Sequence, residues 1–475
     1  MNTIKSLFIL STIVLTSSCA NNKNTTTKDN NSTSSEIEYW LTKSDQSVLL
    51  EKQKNTIHFT TEQSSKDIVE VNPSKTYQDI DGFGFTLTGG SAELINKLDP
   101  TTKKNLLQEL FGRGKNSIGM DVLRISIGAS DLNKSSFTYN DLPAGQTDTK
   151  LEKFDISNDL DVINLLVEIQ KINPKIKIFA TPWSAPAWMK TNNSLIGGSL
   201  KPEYYETYAQ YFVKYIKALN SKGINIFAIT PQNEPEHPGN EPSMLMTAIE
   251  QTNFIKNNIG PAFQKNNIKT KIIIYDHNCD HPEYPITVLN DAEANKYIDG
   301  SAFHLYLGDI SALTKVHEAF PKKNLYFTEQ YTAKDSAFEN DFKWHMKNVI
   351  IGSIRNWSKA AFEWNLANDQ NFAPHTPKGC TTCKGAITIE GNKLTRNVGY
   401  YIVAQASKFV PVNSKRIEST QFGSISTVAF VLPDNKKAMV ILNDGNVNSS
   451  FDLKVGDKFA KIDIPAESSA TYIWN

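Results

Sequence analysis

Between Ile80 and about Ala367, short runs of β-branched and aromatic residues alternate with stretches in which apolar side chains return every three or four positions. The first pattern suits buried strands and the second suits helices with one apolar stripe, so the segment reads as a repeated strand and helix rhythm. Strands are predicted over 80–87, 121–127, 176–182, 224–230, 271–275, 300–306, 325–329 and 360–364, with helical patterns such as 202–219 and 243–259 between them. Eight strands are the number that closes a (β/α)8 TIM barrel. A doubly wound open sheet is the alternative for such a rhythm, but no Gly-x-Gly-x-x-Gly follows an early strand to support it.

The flanks follow a different period. From Trp40 to about Pro73, apolar runs such as 47–50 and 56–60 suggest two or three strands outside the strand and helix rhythm. After about Gln405, alternating runs at 427–432, 437–442, 451–455 and 471–474 are punctuated by turn residues such as Asn443-Asp444-Gly445, the spacing of a β-sandwich. The N-terminal strands are expected to complete it, because alone they would leave unpaired edges. The expected organisation is a leader over 1–18, a tether over 19–36, sandwich strands over 37–76, a barrel over 77–404 and the rest of the sandwich over 405–475.

Lys5, the apolar run from Leu7 to Leu15 and the small residues before Cys19 form an export signal too short to span a bilayer. They resemble a bacterial lipoprotein signal, which implies lipidation of Cys19 and an exported, membrane-anchored protein at the cell surface or in the periplasm. Residues 20–36 carry no large apolar side chain before Ile37 and cannot offset their ordering entropy.

Composition narrows the function. Fifty basic residues balance fifty acidic ones in 475 residues, so no bulk field draws in nucleic acid or anionic lipid, and membrane association is expected through the N-terminal lipid only. Hydrophobic residues at 39% exclude global disorder, and four cysteines are too few for a disulfide-built scaffold.

Barrel chemistry sits at the C-terminal ends of strands. There the fourth strand runs into Pro231-Gln232-Asn233-Glu234-Pro235 and the seventh into Glu329-Gln330. Two carboxylates facing across a barrel mouth are what glycosidic bond cleavage needs, one ionised as nucleophile and one protonated as acid. Strand-end carboxylates that only cap helices are the plain alternative.

At these residues the sequence resembles glycoside hydrolase family 30, over nearly all of the chain beyond the leader. Asn233-Glu234-Pro235 looks like the family's acid/base motif and Phe327-Thr328-Glu329 like its nucleophile strand end. The resemblance implies a retaining β-glycoside hydrolase of barrel-plus-sandwich plan, with no cofactor and no metal. Glu234 would be the acid/base and Glu329 the nucleophile, and Asn233 would hold the sugar's 2-hydroxyl. Arg124 is expected under Glu329, keeping it ionised, and Asp131 on sugar hydroxyls, though a solvated loop acid is its rival reading. Trp183, in Thr181-Pro182-Trp183-Ser184-Ala185-Pro186-Ala187-Trp188-Met189-Lys190, would wall the sugar subsite, whereas Trp188 reads as packing. Tyr306 would hydrogen-bond the nucleophile, and Trp364 would be a second sugar platform.

The glycines of Asp81-Gly82-Phe83-Gly84, read as ending the first strand with Thr86, would permit the tight backbone of an aromatic-lined subsite. Asp276-His277-Asn278-Cys279-Asp280-His281 could hold a metal, though its spacing fits no standard motif, and Asp276 or His277 could instead bind sugar. Cys380-Thr381-Thr382-Cys383 is a lone pair that could form a local disulfide.

The segments 232–240, 275–278 and 380–387 look most like the bacterial β-1,6-glucanase branch of the family, so the substrate is expected to be a β-linked glucan or another β-glycoside. Glucosylceramidase is the close alternative, followed by β-xylosidase, β-fucosidase and glucuronoxylanase specificities. A non-catalytic carbohydrate-binding protein and a metal-dependent hydrolase using His277 and His281 are readings from other classes.

Overall fold

The computed structural model describes residues 36–475. Cys19, the leader and all but the last residue of the expected tether lie outside the described residues. Eight parallel strands close a barrel: β1 (Gly82–Thr86), β2 (Val122–Ser126), β3 (Lys177–Thr181), β4 (Ile226–Ile229), β5 (Lys271–Cys279), β6 (Ile298–Gly308), β7 (Asn324–Glu329) and β8 (Ser358–Asn365), with β8 pairing back onto β1. All eight coincide with the strands expected from the apolar runs.

Period-two alternation fills the barrel. Val122, Phe179, Ala228, Ile273, Ala302, Tyr326, Ala360 and Phe362 form one apolar cluster, contributed by β2 to β8. Phe179 packs against both Tyr326 and Phe362 at its centre, with ring centroids 5.4 and 5.0 Å away. The alternate side chains pack outward against the surrounding helices in a second, larger core.

Two expectations are corrected here. Helix is absent from 243–246: it begins at Ala248, through a capping box in which Thr247 and Glu250 satisfy each other's backbone, and continues past Phe254 as a π-helix over Ile255–Ile259 and an α-helix over Gly260–Lys265. Residues 243–246 instead bond the loops near the barrel mouth, with Met246 N donating to Pro235 O at 2.9 Å and Leu245 N to Gly198 O at 2.8 Å. Asp81-Gly82-Phe83-Gly84 opens β1 rather than ending it. Asp81 pairs with Lys177 at the start of β3, at 2.5 Å, so the motif lies at the end of the barrel away from the carboxylates. A Cβ on Gly84 would stand 2.0 Å from Val122 O, which makes the glycine a device for close strand approach and not part of a sugar subsite.

The flanking strands form one ten-stranded sheet that folds around its own core, the associated β-sandwich of the expectation. Its N-terminal members are Glu36–Lys43, Glu51–Lys52, Ile57–His58 and Ile68–Asp79. Its C-terminal members are Lys415–Ser419, Ile425–Val431, Lys437–Asn443, Ser449–Val455, Lys458–Ile464 and Ser468–Trp474. Glu36–Lys43 pairs antiparallel with Ser468–Trp474, and a bridge between Thr60 and Phe459 brings the far edge of the sheet round. Residues 47–50 are bends and not a strand. Buried helix Val398–Ser407 leads from the barrel into the sheet.

Candidate active site

Two positions beyond the apolar lumen layer, the inward face turns polar. Val122 is followed by Arg124, Phe179 by Thr181, Ala228 by Thr230, Ala302 by His304 and Tyr326 by Thr328. Each pair obeys the alternation of a strand. Strand β5 does not: Tyr275 and Asp276 have φ of 72° and 64°, the register with β6 shifts there, and Asp276 follows Ile273 by three. The kink turns the Asp276 carboxylate into the ring. Three hydroxyls donate to it, from Thr328 at 2.7 Å, Thr230 at 2.7 Å and Thr181 at 3.0 Å.

Above this layer lie the two expected carboxylates. Arg124, wholly buried, donates from Nη1 to Glu329 Oε2 at 2.5 Å, and from Nη2 to Asn233 Oδ1 at 2.6 Å and Asp276 Oδ2 at 3.0 Å. Tyr306 Oη donates to Glu329 Oε1 at 2.9 Å. Glu234 follows β4 with φ of 45°, a left-handed conformation unfavourable for a residue with a Cβ. Its backbone N–H holds it there by donating to Asp276 O at 3.0 Å. The His304 ring lies between the acids, with Nδ1 3.1 Å from Glu234 Oε1 and 3.8 Å from Glu329 Oε1, and Nε2 3.2 Å from Asp276 Oδ1. The two glutamate oxygens are therefore no farther apart than those two Nδ1 contacts laid end to end. That bound leaves out most of the ~6.5–9.5 Å window of an inverting pair and admits the ~5–5.5 Å of a retaining one.

The electrostatics follow from this contact map. Burial raises the Asp276 carboxyl, but the Arg124 charge and the His304 contact outweigh it and hold Asp276 well below the ordinary carboxylate range. Burial lowers His304, yet the charges of Glu329, Asp276 and Glu234 push it up to about 9. Glu329 is raised by burial and by Glu234 and Asp276, against the pull of His304 and Arg124. Burial likewise raises Glu234, but its contact with His304 brings it below the ordinary value. Glu234 and His304 lie 3.1 Å apart, close enough that the proton of one depends on the charge of the other.

A cavity of about 450 Å3 opens over these groups. Trp183 and Trp364 wall it, their rings 5.3 Å apart and tilted by 32°, and the Arg124 guanidinium sits 4.9 Å from the first ring and 5.7 Å from the second. Trp188 lies outside the wall and donates from Nε1 to Asn140 O at 3.0 Å, a packing role.

Asp131 is buried at 5% exposure and lines the cavity, which removes the solvated-acid reading. Cys380 N donates to its Oδ2 at 3.1 Å, whereas its Oδ1 is buried without a partner. Burial, helped by the Glu329 charge, pushes it up to about 7. Cys380 and Cys383 are joined by a disulfide, which belongs to one apolar cluster with Leu132 and the two tryptophans. Gly379 passes so close that a Cβ would lie 2.2 Å from Asp131 O.

All the barrel residues expected at the site are therefore gathered around one cavity or directly beneath it. Asp276 and His304 were not assigned these positions from sequence. His304 stands two before Tyr306 on the same strand face, a signal that alternation alone supplies. For Asp276, the sugar-binding alternative is corrected: it is fully buried and saturated by protein donors.

The metal reading of 276–281 meets divergent side chains. Asp276 points into the barrel, Cys279 is buried, and exposed His281 contacts Glu236 at 3.0 Å. Glu234, His277 and His304 do bring donor atoms within 4.8 Å of one another. Both nitrogens of His304 already face carboxylates there, and a cation would occupy the oxygen through which Glu234 meets His304.

A carboxylate pair at the ends of β4 and β7, beneath a cavity walled by tryptophan, defines a glycoside hydrolase. The chain belongs to glycosyl hydrolase family 30: the family's TIM-barrel domain matches residues 80–410 and its beta sandwich domain matches 413–472. An endo-1,6-beta-D-glucanase of Aspergillus fumigatus is 33% identical over 426 residues, covering 83% of this chain and 85% of that protein. The solved structure of the endo-beta1,6-glucanase BT3312 superposes with a TM-score of 0.85 at 32% identity, covering 92% of this chain and 99% of that one. The lysosomal acid glucosylceramidase of Mus musculus is 26% identical, covering 86% of this chain and 83% of that protein.

Proposed function

We propose that this glycoside hydrolase is an endo-β-1,6-glucanase that cleaves with retention of anomeric configuration. The observation that carries the mechanism is the closeness of the two carboxylates, Glu234 Oε1 and Glu329 Oε1 lying 3.1 and 3.8 Å from the same His304 Nδ1. Likeness to the endo-1,6-beta-D-glucanase over most of both chains, at higher identity than to the glucosylceramidase, supports the linkage.

In the first step a Glu329 oxygen attacks the anomeric carbon and the bond to the leaving glycosidic oxygen breaks. That oxygen takes the proton held by the Glu234 and His304 pair, delivered from Glu234. Arg124 and Tyr306 orient Glu329 through one oxygen each. In the second step a water loses its proton to Glu234, its oxygen attacks the same carbon, and Glu329 leaves as carboxylate. Asp131 presents its free oxygen to sugar hydroxyls, and the two tryptophans receive a pyranose face. Asn233, fixed at Oδ1 by Arg124, is assigned to the 2-hydroxyl.

The export reading belongs to the same proposal. Lipid on Cys19 would hold the enzyme at a membrane, with residues 19–36 as a tether, where polysaccharide could reach it. Mass spectrometry of the mature N-terminus tests this, and an unmodified Cys19 would refute it.

The functional test is chromatography of products from linear β-1,6-glucan, with glucosylceramide in parallel, for the parent and for Glu329→Gln. Oligosaccharides from the glucan by the parent alone support the assignment. Glucosylceramide turnover without glucan cleavage would move the specificity to the other branch, and an inverted first-formed anomer by proton NMR would reject double displacement.

A further inference from the structure

A hollow lies away from the cleft, beside the helix Phe338–His345 that follows β7 and the π-helical stretch Met346–Gly352 that continues it. Its Trp344 is 39% exposed, one of only a few large apolar side chains so open among the described residues. Asn340 stands four residues before it on the same α-helix, and Asn348 four after it in the π-helical stretch, and all three line the hollow. Asn348 Nδ2 donates to Trp344 O at 3.0 Å, a bond that leaves its Oδ1 unused. Asp341 lines the same hollow at 9% exposure, and its Oδ2 is buried without a partner. Asp444, from the turn after the sheet strand Lys437–Asn443, closes the far side of a space of about 480 Å3.

The platform is anchored to the barrel. His345, next to Trp344, is buried and contacts Glu363 of β8 at 2.8 Å, and Phe342 anchors the same helix in the core. The hollow's cations are already matched: Lys347 pairs with Asp444 at 2.6 Å, and Lys343 with Glu339 at 2.8 Å and Glu467 at 2.6 Å. With both lysines of the hollow paired to carboxylates, a polyanion is disfavoured. An open aromatic face flanked by amide and carboxylate groups suits a neutral polyol, whose C–H faces stack while its hydroxyls bond at the rim.

We infer that Trp344, with Asn340, Asn348 and Asp341, forms a secondary binding site for a neutral β-glucan chain, holding the polymer while another stretch of it occupies the cleft. The choice of glucan rests on the function proposed above. A second contact on the same polymer raises apparent affinity through effective concentration, and it contributes nothing to a substrate too short to reach both places.

Two measurements on the full chain test it. In affinity electrophoresis through linear β-1,6-glucan, Glu329→Gln with Trp344→Ala should bind about five- to tenfold more weakly than Glu329→Gln alone, and Trp344→Phe in its place should restore most of the retardation. In an otherwise unaltered chain, Trp344→Ala should raise KM on the polymer while leaving kcat/KM on an aryl β-glucoside or a short oligosaccharide within about twofold. A paired Asn340→Ala and Asn348→Ala variant, which leaves the indole in place, should weaken polymer binding in the same direction. Unchanged retardation in both variants would overturn the site, as would equal losses on short and long substrates. Should the parent fail to cut β-1,6-glucan yet lose retardation on another neutral β-glucan upon Trp344→Ala, the linkage would fall and the site would stand.

Discussion

The backbone N–H of Cys380 donates to Asp131 Oδ2 at 3.1 Å, so a disulfide-closed turn holds one oxygen of a buried carboxylate that lines the cavity, while the other has no protein partner. Opening the disulfide should free the turn and let Asp131 lose its fixed direction. We expect the paired Cys380→Ser and Cys383→Ser variant to raise KM for polymer by about three- to tenfold with kcat within about twofold. Closing so short a loop contributes only about 2 kcal/mol in the chain-entropy account, so the fold should persist. Steady-state kinetics with and without reductant check this, and an unchanged KM would separate the turn from substrate binding.

A proton held by the Glu234 and His304 pair, as proposed, sets a pH window. Glu329 must be ionised to attack and is raised above the ordinary glutamate value, so activity should fall on acidification at a pH above that value. The Glu234 and His304 pair must hold its proton, and His304 is pushed up to about 9, so the alkaline limb should lie near that pH. Replacing His304 by Gln should move the alkaline limb to lower pH, because Glu234 then holds the proton alone. A kcat/KM profile decides it, and an alkaline limb unmoved in His304→Gln would sink the idea of a shared proton.

Asp276 should carry stability as well as activity. Its carboxyl is held well below the unfolded value of about 3.9. Its contribution is therefore present above that value and is lost as pH falls toward the folded one. Asp276→Asn removes the charge between Arg124 and His304, and breaking such a buried pair costs about 3–5 kcal/mol. Thermal melts at pH 7 and at pH 3 should show a large deficit for the variant at the first and a smaller one at the second. Equal melting temperatures at pH 7 would refute it.

Two glycines should respond differently to the same substitution. In Gly84→Ala the new methyl meets the Val122 carbonyl across the strand pair, and the chain should fail to accumulate as folded protein. In Gly391→Ala nothing lies within 4 Å, but φ is 61°, so the cost should be about 1 kcal/mol from the left-handed backbone. Soluble yield and melting temperature separate the cases, and a stable Gly84→Ala enzyme would contradict the close approach of β1 and β2.

The barrel was legible because each of its strands is buried, so its apolar run has no competing period. Glu234 and Glu329 were legible because acids at the ends of such runs have few structural uses. Legibility failed where a local rule was broken. The strand Ile68–Asp79 buries only Val69 and Val71 and is exposed or half-buried from Asn72 through Pro73 to its end, so no alternating face marks most of it. The kink at Tyr275 and Asp276 turns an acid inward out of step with the strand. Asp81-Gly82-Phe83-Gly84 shows that a motif's residue types do not say which end of a strand they occupy.

The pairing of Glu36–Lys43 with Ser468–Trp474 sets an order of events during synthesis. The first strand meets only two-residue neighbours until the last strand exists. At about 5–20 residues per second that interval is roughly 20–90 s. The ring can close while the strand waits, so the barrel's own completion does not complete the molecule. A chain cut short anywhere in its final strand leaves an unmatched edge at its beginning, and such an edge is what a protease or a chaperone would find first.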